Sequence, residues 1–256
     1  MSRFSKIRFV SSDTPDAVVS AKRLIEIYGQ ATAEDANVVV ALGGDGFMLQ
    51  TIHENFASGL PIYGMNKGTI GFLMNGYDES GLIDRLEEAH STVINPLKMT
   101  AKDAAGHSYT SLAINEVSLL RQRYQAAKLN ISIDGHLRMD GLVCDGVLVS
   151  TPAGSTAYNF SAHGPILPID AQLMALTPVS PFRPRRWRGA LLPQRVQVLI
   201  EVMEPEKRPV NAVADHFEVK SVLTVHVEQD ITHEATLLFD PHHTWNERIL
   251  AEQFSH

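Results

Sequence analysis

The chain has 256 residues, of which 44% are hydrophobic and 20% are charged, which is typical of a globular protein with room for two domains. Its formal net charge of -7 argues against nucleic-acid binding through bulk electrostatics. The single cysteine, Cys144, excludes an internal disulfide, and no segment approaches the roughly 20 apolar residues of a membrane span. We therefore expect a cytoplasmic protein that binds neither nucleic acid nor a membrane.

Strands and helices alternate over the first 95 residues. Apolar, β-branched runs predict strands at residues 7–10, 38–42 and 61–65. Helices are predicted after Thr14-Pro15, after Gly46 and near Asp78, where apolar residues recur at helical spacing. This alternation predicts a Rossmann-like α/β domain with a parallel sheet.

The hydrophobic period changes to two after Pro96, which predicts a β-rich second domain, similar to a sandwich, over residues 96–239. Short strands are predicted at 97–101, 112–114, 117–120, 129–133, 142–149, 196–202, 210–213, 222–227 and 235–239. Residues 178–193 are rich in proline and predict an extended surface loop. A capping box at Thr244 predicts a last helix that returns to the first domain, so that residues 240–256 join residues 1–95.

The first candidate for chemistry is Gly43-Gly44-Asp45-Gly46, between the buried strand at 38–42 and the following helix. Ligands bind at the carboxyl edge of a parallel sheet, and a helix N-terminus attracts phosphate. Glycines at this turn allow positive φ angles and close approach of a ligand to the backbone. These four residues alone are equally compatible with a simple tight turn.

Three further stretches carry polar residues at places where strands are predicted to end. They are Asn115-Glu116, Asp145-Gly146, and residues 150–165, a segment dense in small and hydroxyl side chains. Each has a purely structural explanation by itself: a β-bulge, a tight turn and a polar helix cap.

Several common motifs are absent from the sequence. There is no Walker-type phosphate loop, no nucleophile elbow and no zinc-ligand spacing, and Leu49 occupies the last glycine place of a dinucleotide fingerprint. A small basic patch surrounds Trp187, and in an acidic chain a solvated loop or an oligomer contact explains it better than phosphate binding. Its members are Arg183, Arg185, Arg186 and Arg188.

Taken together, these stretches resemble the NAD kinase family in order and spacing, from about residue 37 to residue 170. The resemblance rests on Gly43-Gly44-Asp45-Gly46, residues 64–73, Asn115-Glu116 and residues 145–158. The last block is specific, whereas Gly-Gly-Asp-Gly also occurs in diacylglycerol kinases, sphingosine kinases and phosphofructokinases. The resemblance implies an N-terminal α/β domain, a C-terminal β-sandwich-like domain, an active site between them, and a homodimer or homotetramer.

The resemblance also implies a role for each matching residue. Asp45 matches the catalytic base that accepts the proton of the adenosine 2′-hydroxyl of NAD, and Asp145 matches the acid at the nicotinamide-ribose end. Asn115 and Glu116 match the pair that holds adenosine. Phosphate-loop contacts are implied for Gly43, Gly44 and Gly46, and further NAD contacts for Gly46, Ala153, Thr156, Ala157, Tyr158, Asn159, Ser161, Ser180 and His216. Val143 and Cys144 stand where family members often carry Arg-Gly.

The implied reaction is transfer of the ATP γ-phosphate to NAD, giving NADP, with a divalent cation, expected to be Mg²⁺, on the phosphates. No protein metal site is expected. The alternatives are a lipid or other small-molecule kinase of the same superfamily and a non-catalytic dinucleotide sensor. The donor is left open between ATP, another nucleotide and polyphosphate, and the acceptor between NAD and NADH.

Overall fold

The computed structural model describes residues 3–68, 71–241 and 249. The chain divides into two compact units. One contains the residues up to Ile94 together with those from His233 onward, and the other contains Asn95–Thr232. We call them the α/β unit and the β-rich unit.

The α/β unit is built on a five-stranded sheet with the order β1-β2-β3-β17-β4. The first four strands in this order are parallel, and the last is antiparallel to its neighbour. Central position explains why β2 is buried at every residue. The strands are β1 (Ile7–Ser11), β2 (Val38–Gly43), β3 (Ile62–Asn66), β4 (His90–Ile94) and β17 (Ala235–Phe239), and the helices are α1 (Pro15–Tyr28), α2 (Asp45–Asn55) and α3 (Leu82–Glu88).

Helix α1 shows how local sequence sets its boundaries. Thr14 occupies the N-cap position with extended backbone, and Pro15 follows at the first helical position, where its missing N–H is not needed. Gly29 ends the helix with a φ of 80°, and its N–H donates to the carbonyl of Ile25. The buried face, which includes Leu24, packs into the core of the unit.

Strand β17 departs from the sequence-based assignment. The sequence places residues 235–239 in the second domain, because they form one more short strand after several others. In the structure this strand lies between β3 and β4, with Leu237 opposite Ile62 and Thr92. The assignment was wrong because the sequence of a short apolar strand does not specify which sheet it joins.

The β-rich unit consists of two six-stranded sheets that share one hydrophobic core. The sheet orders are β12-β11-β10-β7-β14-β15 and β6-β5-β16-β13-β8-β9, and every pairing within them is antiparallel. The strands are β5 (Leu97–Asp103), β6 (Ser108–Ala113), β7 (Glu116–Arg121), β8 (Ala127–Ile133), β9 (His136–Cys144), β10 (Gly146–Ser150), β11 (Leu173–Val179), β12 (Ala190–Pro193), β13 (Val198–Val202), β14 (Val210–Ala214), β15 (Phe217–Val219) and β16 (Val222–Gln229).

The predicted strand at residues 142–149 is two strands that belong to different sheets. Strand β9 ends at Cys144 and β10 begins at Gly146, so Asp145 lies where the chain crosses between sheets. The sequence signal was continuous because both strands are apolar.

The proline-rich segment is less irregular than its sequence predicts, since two strands fall within or overlap residues 178–193. Strand β11 includes Pro178, which pairs with Val147 of β10. The other neighbour, β12, reaches only as far as Leu176, so the missing N–H of Pro178 interrupts no ladder on that side. The side of β11 beyond Leu176 has no strand partner in β12, and this local edge allows a proline at position 178.

The predicted capping box at Thr244 lies outside the described residues. Ile249, which is described, is helical and buried. The predicted return of the last helix to the first domain stays a prediction.

Candidate active site

Asp45 lies at the point where the sequence analysis expected it, at the carboxyl end of β2. Gly44 is the N-cap of α2 and Asp45 is its first residue. The Asp45 carboxylate accepts two backbone hydrogen bonds: Oδ2 from the N–H of Phe72 at 2.8 Å, and Oδ1 from the N–H of Leu73 at 3.0 Å. One loop thus holds both oxygens of the carboxylate.

Of the two uses predicted for the glycines around Asp45, positive φ angles and close approach of a ligand, the first is wrong. None of the three has a positive φ. Gly43 makes room for a neighbour, because a Cβ there would lie 2.9 Å from the Cβ of Phe47. Gly44 and Gly46 face open space within the described part of the chain, where no heavy atom lies within 4 Å of a Cβ placed on either. Steric access, rather than backbone conformation, explains these two glycines.

Asn115 and Glu116 lie at the start of β7. Glu116 pairs with Ser150, the last residue of β10. Its Oε2 is buried and has no hydrogen-bond partner among the described residues. Burial, with a smaller contribution from the negative charge of Asp215, raises the pKa of Glu116 to about 7. An unpartnered buried acid is costly to the fold, which marks it as a candidate for ligand contact.

Asp145 lies at the opposite end of the same pair of strands. Gly146 pairs with Leu120, whereas Ser150 pairs with Glu116, so the whole of β10 separates the two acids. At about 3.3 Å per residue, Asp145 and Ser150 are roughly 17 Å apart. Among the described parts of the β-rich unit, these two predicted residues are therefore not adjacent.

Arg121 is a residue near the site that the sequence analysis missed. Its Nε donates to Oδ1 of Asp145, and both side chains are partly exposed. Val143 and Cys144 provide no cation before Asp145. In the structure, Arg121 of β7 places a cation next to Asp145. No local sequence pattern indicates this contact, because it depends on the pairing of β7 with β10.

The segment from residue 150 to residue 165 forms a 3-10 turn at Ala153–Thr156 and a short helix, α4, at Tyr158–Ser161. Neither has a side-chain cap. The polar helix cap that the sequence suggested for this segment is therefore wrong, because the Ser155 hydroxyl donates to the carbonyl of Pro152 and accepts from the N–H of Leu167 instead.

Asn159 is fully buried, and its amide is used within the protein. Nδ2 donates to the carbonyls of Ser155 and Pro165, and Oδ1 accepts from the hydroxyl of Thr177 at 2.6 Å. Ala153 is also buried. The structure thus gives Asn159 a role in holding the segment together, while Thr156, Ala157 and Tyr158 are partly accessible and Ser161 is exposed.

Tyr158, Ser161 and Ser180 share a cavity of about 320 Å³. Ser180 has a φ of 47° and directly follows β11. Trp187 and Arg188 also line this cavity, which connects the basic patch to predicted site residues. Burial, followed by the charges of Glu116 and Asp145, raises the pKa of Tyr158. Tyr158 therefore interacts electrostatically with acids at both ends of the β7–β10 pair.

His216 lies in the turn between β14 and β15, next to Asp215. The sequence analysis did not identify Asp215, although its carboxylate accepts hydrogen bonds from the N–H groups of Ile114 and Asn115. A single aspartate in a turn carries no distinguishing sequence signal.

Within the described residues no group of three or more His, Cys, Asp or Glu side chains is placed to hold a metal ion. No helix among these residues is long and apolar enough to cross a membrane.

Comparison with known proteins gives consistent matches. Residues 114–237 match the family model for the ATP-NAD kinase C-terminal domain. An NAD kinase of Mesorhizobium japonicum is 60% identical over 250 residues, covering 98% of this chain and 97% of that protein. An NAD kinase of Caulobacter vibrioides is 57% identical over 251 residues, covering 98% and 96%.

Two solved structures share the fold at 20% sequence identity. Yeast NADH kinase complexed with NADH has a TM-score of 0.81, covering 97% of this chain and 86% of that one. An NAD kinase from Archaeoglobus fulgidus in complex with ATP has a TM-score of 0.76, covering 98% and 100%. The predicted fold class, an α/β unit followed by a β-sandwich-like unit, is confirmed.

The fold, the acid on its glycine turn and the matched C-terminal domain define the protein as a kinase. Because relatives named NAD kinase align over nearly the full length at 57–60% identity, the chain belongs to the NAD kinase family.

Proposed function

We propose that this protein transfers the γ-phosphate of ATP to the 2′-hydroxyl of the adenosine ribose of NAD, giving NADP. The observation that carries the proposal is Asp45, a carboxylate fixed by two backbone N–H groups at the start of α2, in a member of the NAD kinase family. Phosphoryl transfer depends on positioning and charge neutralisation, and an oriented base meets the first requirement.

Asp45 is the proposed base. The loop containing Phe72 and Leu73 orients its carboxylate through two backbone hydrogen bonds. An oriented carboxylate can accept the proton of the attacking hydroxyl at hydrogen-bond distance. The carboxylate keeps its orientation during the reaction, because the two N–H donors belong to the backbone.

The donor phosphates are proposed to approach Gly44 and Gly46. Both glycines face open space, and they lie at the N-terminus of an 11-residue helix. Backbone N–H groups and the helix dipole favour an anion there. Mg²⁺ held by the β- and γ-phosphates would neutralise the charge that remains.

The dinucleotide is proposed to bind to the β-rich unit. Asn115 and Glu116 hold adenosine, and the buried Oε2 of Glu116 has no hydrogen-bond partner among the described residues. Asp145 contacts the nicotinamide ribose. The further proposed contacts are Ala153, Thr156, Ala157, Tyr158, Ser161, Ser180 and His216, and Asn159 contributes by holding this segment.

We also propose a homo-oligomer. Glu116 and Asp145 lie at opposite ends of β7 and β10, so one ligand must either span the strands or receive Asp145 from a second copy. Mixing two inactive variants, E116A and D145A, distinguishes these arrangements. Recovered activity in the mixture indicates sites shared between copies, and no recovery indicates that each chain builds its own site.

One assay tests the proposal directly. Purified protein is incubated with Mg²⁺, ATP and NAD, and NADP is read out with an NADP-specific dehydrogenase. NADH and polyphosphate are run in parallel to define acceptor and donor. Binding of NAD with no phosphorylated product would contradict the proposal and favour a dinucleotide sensor. The cytoplasmic location stays a prediction.

A further inference from the structure

We propose that Asp215 is a positioning residue that fixes the corner formed by Ile114, Asn115 and Glu116 for adenosine binding. The inference rests on the proposed function and concerns the same site. It assigns a role to a residue that has no predicted contact with the substrate.

The first support is a pair of hydrogen bonds on one side of the corner. Oδ2 of Asp215 accepts the N–H of Ile114 at 2.6 Å, and Oδ1 accepts the N–H of Asn115 at 3.0 Å. The Asp215 N–H donates in return to the carbonyl of Glu116 at 3.3 Å. One residue in a distant turn therefore contacts the backbone of all three corner residues. Hydrogen bonds to a charged acceptor are among the stronger ones in proteins.

Thr151 holds the other side of the corner. Its hydroxyl donates to the carbonyl of Ile114 at 2.6 Å, and its N–H donates to the carbonyl of Asn115 at 2.9 Å. The backbone donors and acceptors at Ile114 and Asn115 are thus used within the protein. Oε2 of Glu116, which is buried without a hydrogen-bond partner among the described residues, is left to meet a ligand.

The backbone of Asp215 is itself unusual. Its φ is 50°, in the left-handed region that aspartate and asparagine tolerate better than other non-glycine residues. Strained positions of this kind persist where the surrounding contacts hold them, and they often mark functional sites. From this conformation the carboxylate accepts the N–H groups of the corner.

Asp215 also acts on Glu116 electrostatically. Its negative charge adds to burial in raising the pKa of Glu116. The charge of Glu116 in turn contributes to raising the pKa of Tyr158. His216 follows Asp215 in the same turn. Removing the charge of Asp215 should therefore lower the pKa of Glu116, an effect that a purely structural role would not require.

The test compares D215N with D134N. Asn tolerates the left-handed backbone, so D215N avoids new strain, yet it removes the charge and presents an NH₂ group to one of the two N–H donors. Asp134 is a matched control in the same unit. It has a φ of 48° in the turn between β8 and β9, and its carboxylate accepts the N–H of Gln197 at 2.8 Å.

We expect D215N to raise the KM for NAD at least tenfold while the KM for ATP changes by less than twofold, and we expect D134N to change neither. In the wild type, the pH dependence of the KM for NAD should inflect near the pKa of Glu116, about 7, and in D215N the inflection should move to lower pH. An unchanged KM for NAD and an unmoved inflection in D215N would overturn the inference, as would equal losses in D215N and D134N.

Two further readouts separate this inference from the proposed function. If the wild type forms no NADP, the proposed function fails, and calorimetric titration with NAD alone still compares the two variants with the wild type. The amide proton signals of Ile114 and Asn115 require no ligand. They should move upfield in D215N and stay in place in D134N, and if they do not move in D215N, Asp215 does not hold the corner.

Discussion

Asp45 in the α/β unit and Glu116 in the β-rich unit both lie at a strand terminus or next to one, and their carboxylates are held in opposite ways. In the α/β unit, both oxygens of Asp45 accept backbone hydrogen bonds. In the β-rich unit, Oε2 of Glu116 is buried without a partner, and the pKa of Glu116 rises to about 7. The difference suits the proposed roles, because a base must be oriented before reaction, whereas a binding residue must keep its hydrogen-bonding capacity for the ligand.

The glycines of the two units show the same contrast. Gly44 and Gly46 face open space in the α/β unit. In the β-rich unit, a Cβ on Gly154 would lie 2.1 Å from the carbonyl oxygen of Asn115. Glycines at the proposed phosphate site thus leave room for a substrate, and Gly154 leaves room for the protein's own backbone.

The largest expected effect comes from D45N. Removing a general base lowers rates by about 10²- to 10⁴-fold, so we expect a loss of that size in kcat with a KM for NAD within a few-fold of the wild type. The exposed acid Asp35, paired with Lys6 in the same unit, gives the control D35N, which should keep full turnover. Coupled NADP formation measures both. Full turnover by a folded D45N would remove Asp45 from the catalytic role.

Substitution of Gly154 should have the next largest effect. The methyl group of G154A would collide with the backbone of Asn115, which cannot rotate away as a side chain could. Overpacking of this kind typically costs about 1–3 kcal/mol, so the urea midpoint should fall accordingly. The KM for NAD should rise as well, because the corner that carries Asn115 must shift. A stable variant with an unchanged KM would show that this close approach is not needed.

Local features of the sequence were sufficient to predict the α/β unit in outline. The apolar run of β2 followed by glycines, and the Thr14-Pro15 start of α1, specify their own structures through burial and capping. The placement of β17 between β3 and β4 was not predictable in this way. Strand partners are chosen by contacts distant in sequence, and a short apolar strand can satisfy several sheets.

The residues of the candidate site also fall into those that local sequence indicates and those that depend on contacts distant in sequence. Asp45 and the pair Asn115-Glu116 lie within motifs that the sequence analysis identified, whereas Arg121 and Asp215 reach the site only through strand pairing and a turn. Sequence patterns thus indicate the residues proposed to meet the substrate more readily than the residues that hold them in place. A single arginine or aspartate has many ordinary explanations until its partner is known.

A smaller effect is expected for the stability of E116Q, and it should depend on pH. The pKa of Glu116 is higher in the folded protein than the ordinary value of 4.5, so the folded state binds more protons between pH 4.5 and about 7. Wild-type stability therefore falls as pH rises through this window. Gln carries no charge, so E116Q should match the wild type at low pH and exceed it by about 1–3 kcal/mol at pH 8.

Urea unfolding at pH 5 and pH 8 measures this difference. The substitution E206Q, at an exposed glutamate of the same unit, should show no such dependence on pH. If the stability difference between E116Q and the wild type were the same at both pH values, ionisation of buried Glu116 would not destabilise the folded protein.

The smallest effect on stability is expected for G46A, and its sign is opposite to that of G154A. Gly46 lies inside α2 with an ordinary φ and open space around it, so alanine should stabilise the helix by about 0.5–1 kcal/mol. The same methyl group would occupy the proposed approach of the phosphates and raise the KM for ATP severalfold. Gly76, also free of close neighbours and with an ordinary φ, supplies the matched control G76A, which should leave both KM values unchanged. A more stable G46A with wild-type kinetics would show that phosphate does not approach this glycine, and the contrast between the glycines of the two units would then be one of packing alone.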